Sequence, residues 1–289
     1  MNQNDHKMNS RRKFIKTAGF GSALVAVNPY SIMSIAEKGR LKKIGFISGI
    51  LNKNFETEDW KIVLKKAVEY GFTEYEGGVK GDSSAEFLKY CKEIGLKPVA
   101  GGVGMSDDMD KIQQDLEKLN ELEMKYAVTY WPWLVGAPFK ADDCKRSAEL
   151  LNRIGERAKK NGLIFCWHNH DREFDDMETG KPFDYLMENT EKELVNCEMD
   201  IYWVAKGGAD PLEVLKKYKG RIPVLHVKDM ADDQERSFAC PGSGIIDFPA
   251  VFAEAEKQNI EHYFVERDNA PDGLTCLKSS GEYLRDLRF

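Results

Sequence analysis

One pattern recurs eight times between residues 41 and 289: a short apolar run, a loop, an amphipathic helix, and a break at Gly or Pro. The apolar runs are typical of short buried strands. They lie at residues 43–48, 72–76, 97–100, 126–130, 163–167, 195–200, 222–227 and 262–265. Eight strand–helix units in roughly 250 residues predict an α/β fold, a single (β/α)₈ TIM barrel.

The intervening helices are predicted from apolar periodicity and capping residues. Ser83 with Glu86 forms a capping box, Ser106 is expected to cap a helix that runs to about residue 123, and the longest helix spans 142–160. Further helices are expected at 57–70, 182–189, 211–220, 248–257 and 273–287. A doubly wound open sheet is the alternative, but no Gly-x-Gly-x-x-Gly follows the first strand.

The N-terminal segment has a different character. Residues 10–16, SRRKFIK, precede a weakly apolar stretch from 17 to 27 and resemble a twin-arginine export signal. Small residues precede Glu37, where cleavage is expected. We therefore predict a signal peptide at 1–36, a barrel domain at 37–289 and a periplasmic location; a disordered basic tail is the alternative interpretation.

Charge and cysteine content narrow the function classes. The chain carries a net charge of −6, and residues 1–36 hold five Lys or Arg against one Asp, so the remainder is at −10. An acidic body without a basic block argues against nucleic acid as the main partner. The six cysteines contain no C-x-x-C pair, and most are expected to be small core residues. The apolar stretch at residues 17–27 is too short for a stable membrane anchor. A homo-oligomer is compatible with the sequence.

Ionisable residues follow the later strands at their carboxyl ends, where a barrel keeps its active site. His168 and His170 follow strand five; the others are Asp200 after strand six, His226 and Lys228 at strand seven, and Glu266 after strand eight. Imidazole and carboxylate ligands suit one divalent ion such as Mn²⁺, Co²⁺, Mg²⁺ or Zn²⁺. His168, Asp200, His226 and Glu266 are the predicted ligands. An isolated strand histidine is more often a core residue, so this prediction depends on the coincidence of the four.

Substrate contacts are predicted from the same strand ends. Glu76 closes strand two and either contacts substrate or is simply a polar strand end. Trp131 and Trp203 either stack on a sugar ring or line the barrel rim, and Arg267 lies directly behind Glu266. If these aromatic rings stack on a sugar, the expected partner is a small carbohydrate. His262 begins strand eight and is expected to face the opposite end of the barrel.

Several segments together resemble a known family. They are 167–174 (WHNHDREF), 199–203 (MDIYW) leading to 207–211 (GGADP), 220–229 (GRIPVLHVKD) and 263–268 (YFVERD). On these residues the chain resembles the xylose-isomerase-like TIM barrel superfamily, in the group called sugar phosphate isomerases/epimerases. That resemblance implies one divalent metal ion with ligands from strands five to eight, and proton abstraction next to a carbonyl to give a metal-stabilised enediolate.

The resemblance places Asp200, His226 and Glu266 on family ligand positions, but strand five departs from the pattern. Isomerases and epimerases of this superfamily commonly have Glu there, as ligand and base, whereas this chain has His168. Epimerisation needs an acid and a base on opposite faces. A lyase needs one base and one acid for the leaving group, and His170 can fill the second role.

From the family resemblance, the first hypothesis is a metal-dependent sugar isomerase or epimerase. The alternative is a carbon–oxygen lyase or hydratase of keto-sugars or 3-keto-glycosides. Glu266 or His170 would remove the proton, and Lys228 would face the developing oxyanion. A non-catalytic sugar-binding barrel is a further alternative. An endonuclease-IV-like nuclease is disfavoured because it needs a three-metal site rich in His.

Overall fold

The computed structural model describes residues 38–289, which contain a closed barrel of eight parallel strands. The strands are β1 Gly45–Ile47, β2 Glu74–Glu76, β3 Lys97–Gly102, β4 Tyr126–Thr129, β5 Ile164–His168, β6 Asn196–Asp200, β7 Val224–Val227 and β8 His262–Val265. Each strand pairs with its neighbours in sequence, and β1 closes the barrel by pairing with β8. The predicted (β/α)₈ TIM barrel is confirmed.

Ten α-helices surround the barrel in the described part of the chain. They are α1 Asn52–Thr57, α2 Trp60–Glu69, α3 Ser84–Ile94, α4 Met109–Glu121, α5 Ala141–Lys160, α6 Pro182–Asn189, α7 Ile201–Lys206, α8 Pro211–Lys217, α9 Phe248–Lys257 and α10 Gly273–Asp286. The main core lies between the helices and the strands and includes the fully buried Trp167, Phe252 and Leu277. This layer fixes the strands, and therefore the side chains that follow them.

The barrel interior is arranged in layers. The apolar middle contains Val99, Ala100, Tyr126, Val128, Cys166, Val224 and Phe264. Phe264 fills space that Gly45 leaves open, since a Cβ on Gly45 would lie 2.4 Å from the Phe264 ring. At the amino end, His262 Nδ1 lies 2.9 Å from Glu74 Oε2, as expected for a histidine facing away from the site. The polar residues at the carboxyl end form a separate layer.

Several local predictions need correction. Asp108, rather than Ser106, caps α4, because its Oδ1 accepts hydrogen bonds from the amides of Asp110 and Lys111. The segment after β7 contains a short hairpin, Asp229–Met230 paired with Phe238–Ala239, that no apolar run indicated. The helices α1 and α7 were also not predicted, because each has only six residues.

The cysteines divide into two groups. Cys91, Cys144, Cys166 and Cys197 are buried free thiols, which agrees with the core prediction. Cys240 and Cys276 form a disulfide that joins the segment after the hairpin to α10, with their Cα atoms 5.6 Å apart. The predicted signal peptide lies outside the described residues. Between residues 38 and 289, no helix has the length and apolar content needed to cross a bilayer.

Candidate metal centre and active site

The four predicted ligands converge at the carboxyl end of the barrel. His168, Asp200 and His226 lie on β5, β6 and β7, and Glu266 directly follows β8. One donor atom from each lies within 4.8 Å of the other three. Asp200 also caps α7, where its Oδ1 accepts a hydrogen bond from the Trp203 amide at 2.9 Å. Four consecutive strand ends therefore place two imidazoles and two carboxylates around one point.

The donor set fits a divalent metal ion. Imidazole nitrogens and carboxylate oxygens are the usual protein ligands of Zn²⁺ and Mn²⁺. Asp200 Oδ2 is buried and has no hydrogen-bond partner in the described residues, although Lys228 Nζ lies 3.0 Å away as an ion pair. His168 Nε2 lies 3.7 Å from that same oxygen. A buried carboxylate oxygen without a hydrogen bond, beside an imidazole nitrogen, is a feature that a bound cation would satisfy.

Lys228 supplies a fixed positive charge beside this donor set. Its Nζ lies 2.8 Å from Asp268 Oδ2, 3.0 Å from Asp200 Oδ2 and 3.1 Å from Glu266 Oε2. Burial alone would lower the pKa of Lys228, but the three carboxylates outweigh burial and raise it. Burial acts to raise the pKa of Glu266, but Lys228 and His226 hold it well below its usual range. Both side chains are therefore charged at neutral pH.

His170 contributes no atom to the donor set. Its ring lies between Trp131 and Trp203, with centroid distances of 5.4 Å and 5.3 Å. Burial, followed by the charge of Lys228, lowers the pKa of His170 to about 4. Its Nδ1 has no hydrogen-bond partner in the described residues. His170 is therefore a neutral imidazole whose Nδ1 is buried without a hydrogen bond.

Glu173 anchors the backbone around His170. Its Oε2 accepts a hydrogen bond from the His170 amide at 3.0 Å, and its Oε1 accepts one from Trp133 Nε1 at 2.6 Å. Burial raises the pKa of Glu173 to about 7, although both hydrogen bonds favour its charged form. The sequence showed Glu173 only as part of a polar loop, because its Trp133 partner lies 40 residues away.

A second layer of carboxylates lies behind the histidines. Glu76 Oε2 lies 3.0 Å from His226 Nε2, and Glu76 Oε1 accepts a hydrogen bond from the Tyr130 hydroxyl at 2.7 Å. Glu198 Oε2 lies 3.2 Å from the same His226 nitrogen. Glu76 has no exposed surface, so the structure places this predicted substrate contact against a histidine instead.

Glu198 and Tyr130 were missed by sequence reasoning. Glu198 precedes Asp200 by two residues on β6, so the alternation of side chains along a strand places both on the inward face. This two-residue spacing was the sequence feature that could have identified Glu198 as part of the site. Burial, followed by the neighbouring Glu76, raises the pKa of Glu198 to about 8. Burial acts to lower the pKa of His226, but Glu198 and Glu76 outweigh burial and raise it well above its usual range.

The remaining predicted contacts lie around the rim. Trp203 borders both His170 and Lys228, whose Nζ is 5.0 Å from its ring centroid. Trp131 is 40% exposed, so it can meet a molecule arriving from solvent. Arg267 instead directs its Nη1 toward Cys240 Sγ at 3.3 Å, and its Nε is buried without a partner in the described residues.

The glycine-rich segment after the hairpin is held by Asp229. The amides of Gly242 and Gly244 donate to Asp229 Oδ2 at 3.0 and 2.9 Å, and the Ile246 amide donates to Oδ1 at 3.2 Å. A Cβ on Gly244 would lie 2.2 Å from the Met230 carbonyl oxygen, so glycine is required there. These amides already donate to a carboxylate, so they are not available to bind a phosphate.

Comparison with known proteins agrees with this geometry. The profile of the xylose isomerase-like TIM barrel family matches residues 64–287, which is most of the chain. The chain belongs to this family. The match begins in α2 and runs to the end of α10, so it includes all four predicted metal ligands.

Individual relatives within and around the family carry different activities. An inosose dehydratase of Clostridium perfringens is 31% identical over 147 residues, covering 45% of this chain and 49% of its own length. The chain therefore matches about half the length of this curated relative. A solved sugar phosphate isomerase/epimerase from Parabacteroides distasonis has a TM-score of 0.73 at 24% identity, covering 86% of this chain and 95% of that one. The IOLI protein with a bound zinc atom has a TM-score of 0.66 at 17% identity, covering 83% and 95%.

Proposed function

We propose that this protein is a divalent-metal-dependent carbon–oxygen lyase that removes water from a keto-sugar or keto-cyclitol. The observation that carries the proposal is geometric: the imidazole of His170 and the ammonium of Lys228 border the donor set without belonging to it. A dehydration needs one group that exchanges protons and one source of positive charge. The inosose dehydratase relatives support this reading over the isomerase or epimerase hypothesis.

His168, Asp200, His226 and Glu266 would hold the metal ion, which is Mn²⁺, Co²⁺, Mg²⁺ or Zn²⁺. When bound, such an ion supplies Lewis-acid charge that acidifies the C–H bond next to a coordinated carbonyl. The support for a bound ion is the convergence of four donor atoms and the buried Asp200 oxygen that has no hydrogen bond. The zinc-bound structure of similar fold also supports a metal in a barrel of this kind.

His170 is the proposed proton carrier. Its imidazole accepts the proton from the carbon next to the carbonyl, and the C–H electron pair becomes the new carbon–carbon double bond. The carbon–oxygen bond to the next hydroxyl breaks, and His170 returns the proton so that water leaves. Glu266 is less suited as the base, because it is one of the proposed metal ligands and its Oε2 is already paired with Lys228.

Lys228 is proposed to stabilise negative charge on the carbonyl oxygen during proton removal. It is fully buried and held by three carboxylates, so its position costs little reorganisation during the reaction. Trp131 and Trp203 flank His170 and are proposed to contact the apolar face of the sugar ring.

An epimerase remains the second candidate, because a sugar phosphate isomerase/epimerase shares the fold. A two-carboxylate epimerase needs a carboxylate on each face of the substrate. At the strand-five position this chain has His168, whose pKa is lowered well below its usual value by burial and then by His226. A neutral imidazole ligand there does not serve as the second carboxylate.

Absorbance tests the proposed reaction. Dehydration of a keto-sugar gives a conjugated enone that absorbs ultraviolet light, whereas epimerisation does not. Protein loaded with Mn²⁺ or Co²⁺ would be incubated with inososes, 3-keto-glycosides, aldoses and ketoses. We expect absorbance to rise with a keto substrate and to stay flat with the Glu266→Gln variant. Aldose–ketose interconversion without enone would contradict the lyase assignment.

We further propose that the protein is exported to the periplasm by the twin-arginine route. The support is the SRRKFIK segment and the Cys240–Cys276 disulfide, since disulfides persist in oxidising compartments. Replacing Arg11 and Arg12 by Lys should trap the full chain in the cytoplasm, as measured by cell fractionation. Unchanged export of that variant would contradict the route.

A further inference from the structure

Glu198 contacts both histidines of the proposed metal centre through one oxygen atom. Its Oε2 lies 3.3 Å from His168 Nδ1 and 3.2 Å from His226 Nε2. The side chain has no exposed surface, and its other oxygen, Oε1, has no partner in the described residues. One buried carboxylate oxygen therefore joins the imidazoles of two neighbouring strands from behind.

These contacts determine which imidazole nitrogens face the donor set. A histidine that binds a metal through one nitrogen carries its proton on the other, and a carboxylate that accepts this proton fixes the ring. His168 Nδ1 is directed at Glu198, and His226 Nε2 is directed at both Glu76 and Glu198. The nitrogens left for a metal are therefore His168 Nε2 and His226 Nδ1. These lie 3.7 Å from Asp200 Oδ2 and 2.8 Å from Glu266 Oε2, which are the two carboxylate ligands.

We propose that Glu198 is a positioning residue that holds both imidazoles in the tautomer and orientation needed to bind the metal ion. The proposal rests on the metal centre of the proposed function. It assigns Glu198 no contact with substrate, because the two histidine rings lie between it and the donor set. By accepting the ring protons, Glu198 would also make both imidazoles better electron donors.

The same atoms offer a competing interpretation. Donor atoms of Glu76, Glu198 and His226 also lie within 4.8 Å of one another, so they form a possible second cation site. The contacts favour positioning instead. His226 Nε2 lies at hydrogen-bond distance from both carboxylates, and the Tyr130 hydroxyl already donates to Glu76. A ring N–H needs such acceptors, whereas a second cation would displace that proton.

Metal titration of the metal-free protein separates the alternatives. Isothermal calorimetry with Zn²⁺ would give the number of sites and the dissociation constant, and the visible spectrum of bound Co²⁺ would report ligand geometry. Glu198→Leu removes the acceptor at similar size, whereas Glu198→Gln keeps an amide oxygen that can still accept. Glu193→Gln, at an exposed position before β6, is the matched control.

We expect one Zn²⁺ per chain in the wild type and in all variants. The dissociation constant should rise about 10- to 100-fold in Glu198→Leu and less in Glu198→Gln, and should not change in Glu193→Gln. The Co²⁺ spectrum of Glu198→Leu should also change. Circular dichroism of each metal-free variant checks folding; if Glu198→Leu does not fold, the ranking of wild type above Glu198→Gln carries the test.

Two results would overturn the positioning role. One is equal affinity for Zn²⁺ in the wild type and the folded Glu198 variants, which would leave the metal centre itself intact. The other is two Zn²⁺ ions in the wild type and one in Glu198→Gln, which would make Glu198 a ligand of a second site. Absence of any Zn²⁺ binding by the wild type would instead remove the metal centre, and with it both proposals.

Discussion

Lys228 Nζ lies 3.1 Å from Glu266 Oε2 at the carboxyl end of the barrel, where Lys228 is buried and Glu266 is partly exposed. The ammonium also contacts Asp200 and Asp268, so one cation faces three carboxylates. Two of those carboxylates are proposed metal ligands. Lys228 therefore has two effects: it neutralises the donor set when no ion is present and adds positive charge beside a bound substrate.

Replacing Lys228 by Met should separate these effects. We expect kcat to fall about 100- to 1000-fold, as for the loss of a group that stabilises an oxyanion. The metal-free variant should also unfold more easily, by about 3 kcal/mol or more, because the buried carboxylates lose their partner. Lys217→Met, which breaks a half-exposed surface pair with Asp184, is the control. Urea unfolding with and without Mn²⁺ gives the measurement; a fully active Lys228→Met enzyme would contradict the assignment.

His168, the last residue of β5, and His170, which follows it, should respond differently to substitution. His170→Ala is expected to keep one metal ion per chain while kcat drops about 100- to 10,000-fold, because it loses the proton carrier but no ligand. His168→Ala should lose both the metal and the activity. Elemental analysis beside steady-state kinetics distinguishes the two. Loss of metal from His170→Ala would show that His170 is a ligand instead.

Much of this site was predictable, for a physical reason. Barrel strands are short and buried, so His168, Asp200, His226 and Glu266 stand out as polar residues that follow apolar runs. The second layer was harder to predict. Glu76 and Glu198 belong to different strands, and the contact of Glu76 with His226 spans 150 residues of sequence. Only the closed barrel shows that Glu76 and Glu198 both lie behind His226.

For the fold as well, features marked by local sequence were predicted and contacts between distant segments were not. Apolar runs located all eight strands, whereas the hairpin at Asp229 and the disulfide at Cys240 were not predicted. The hairpin strands have two residues each and carry no periodicity. The disulfide depends on a close approach between segments 36 residues apart, which spacing alone does not reveal.

Glu173 should make stability depend on pH. Burial raises the pKa of Glu173 in the folded protein to about 7, from 4.5 for an exposed carboxyl. Between these values the folded state keeps a proton that the unfolded state releases, so stability falls as pH rises, by about 3 kcal/mol in all. Urea unfolding from pH 4.5 to 8 should show this slope in the wild type and lack it in Glu173→Gln. An identical slope in both proteins would rule out Glu173 as its source.

The disulfide should stabilise the fold. Cys240 and Cys276 close a segment with a sequence separation of 36, for which chain entropy predicts about 4 kcal/mol. A reductant should therefore lower the Tm of the wild type. The double variant Cys240→Ser/Cys276→Ser should begin at the lower Tm and show no further change with reductant. Insensitivity of the wild type to reduction would mean that the cross-link contributes little.

The central claim is that His170, beside the metal centre, drives loss of water from a keto substrate. The most direct measurement is NMR of the products formed by the metal-loaded protein from an inosose or a 3-keto-glycoside in deuterated water. We predict a product that has lost one hydroxyl and gained a carbon–carbon double bond, and no such product from His170→Ala. A product with an intact skeleton and deuterium at one carbon would contradict this claim and identify an isomerase or epimerase.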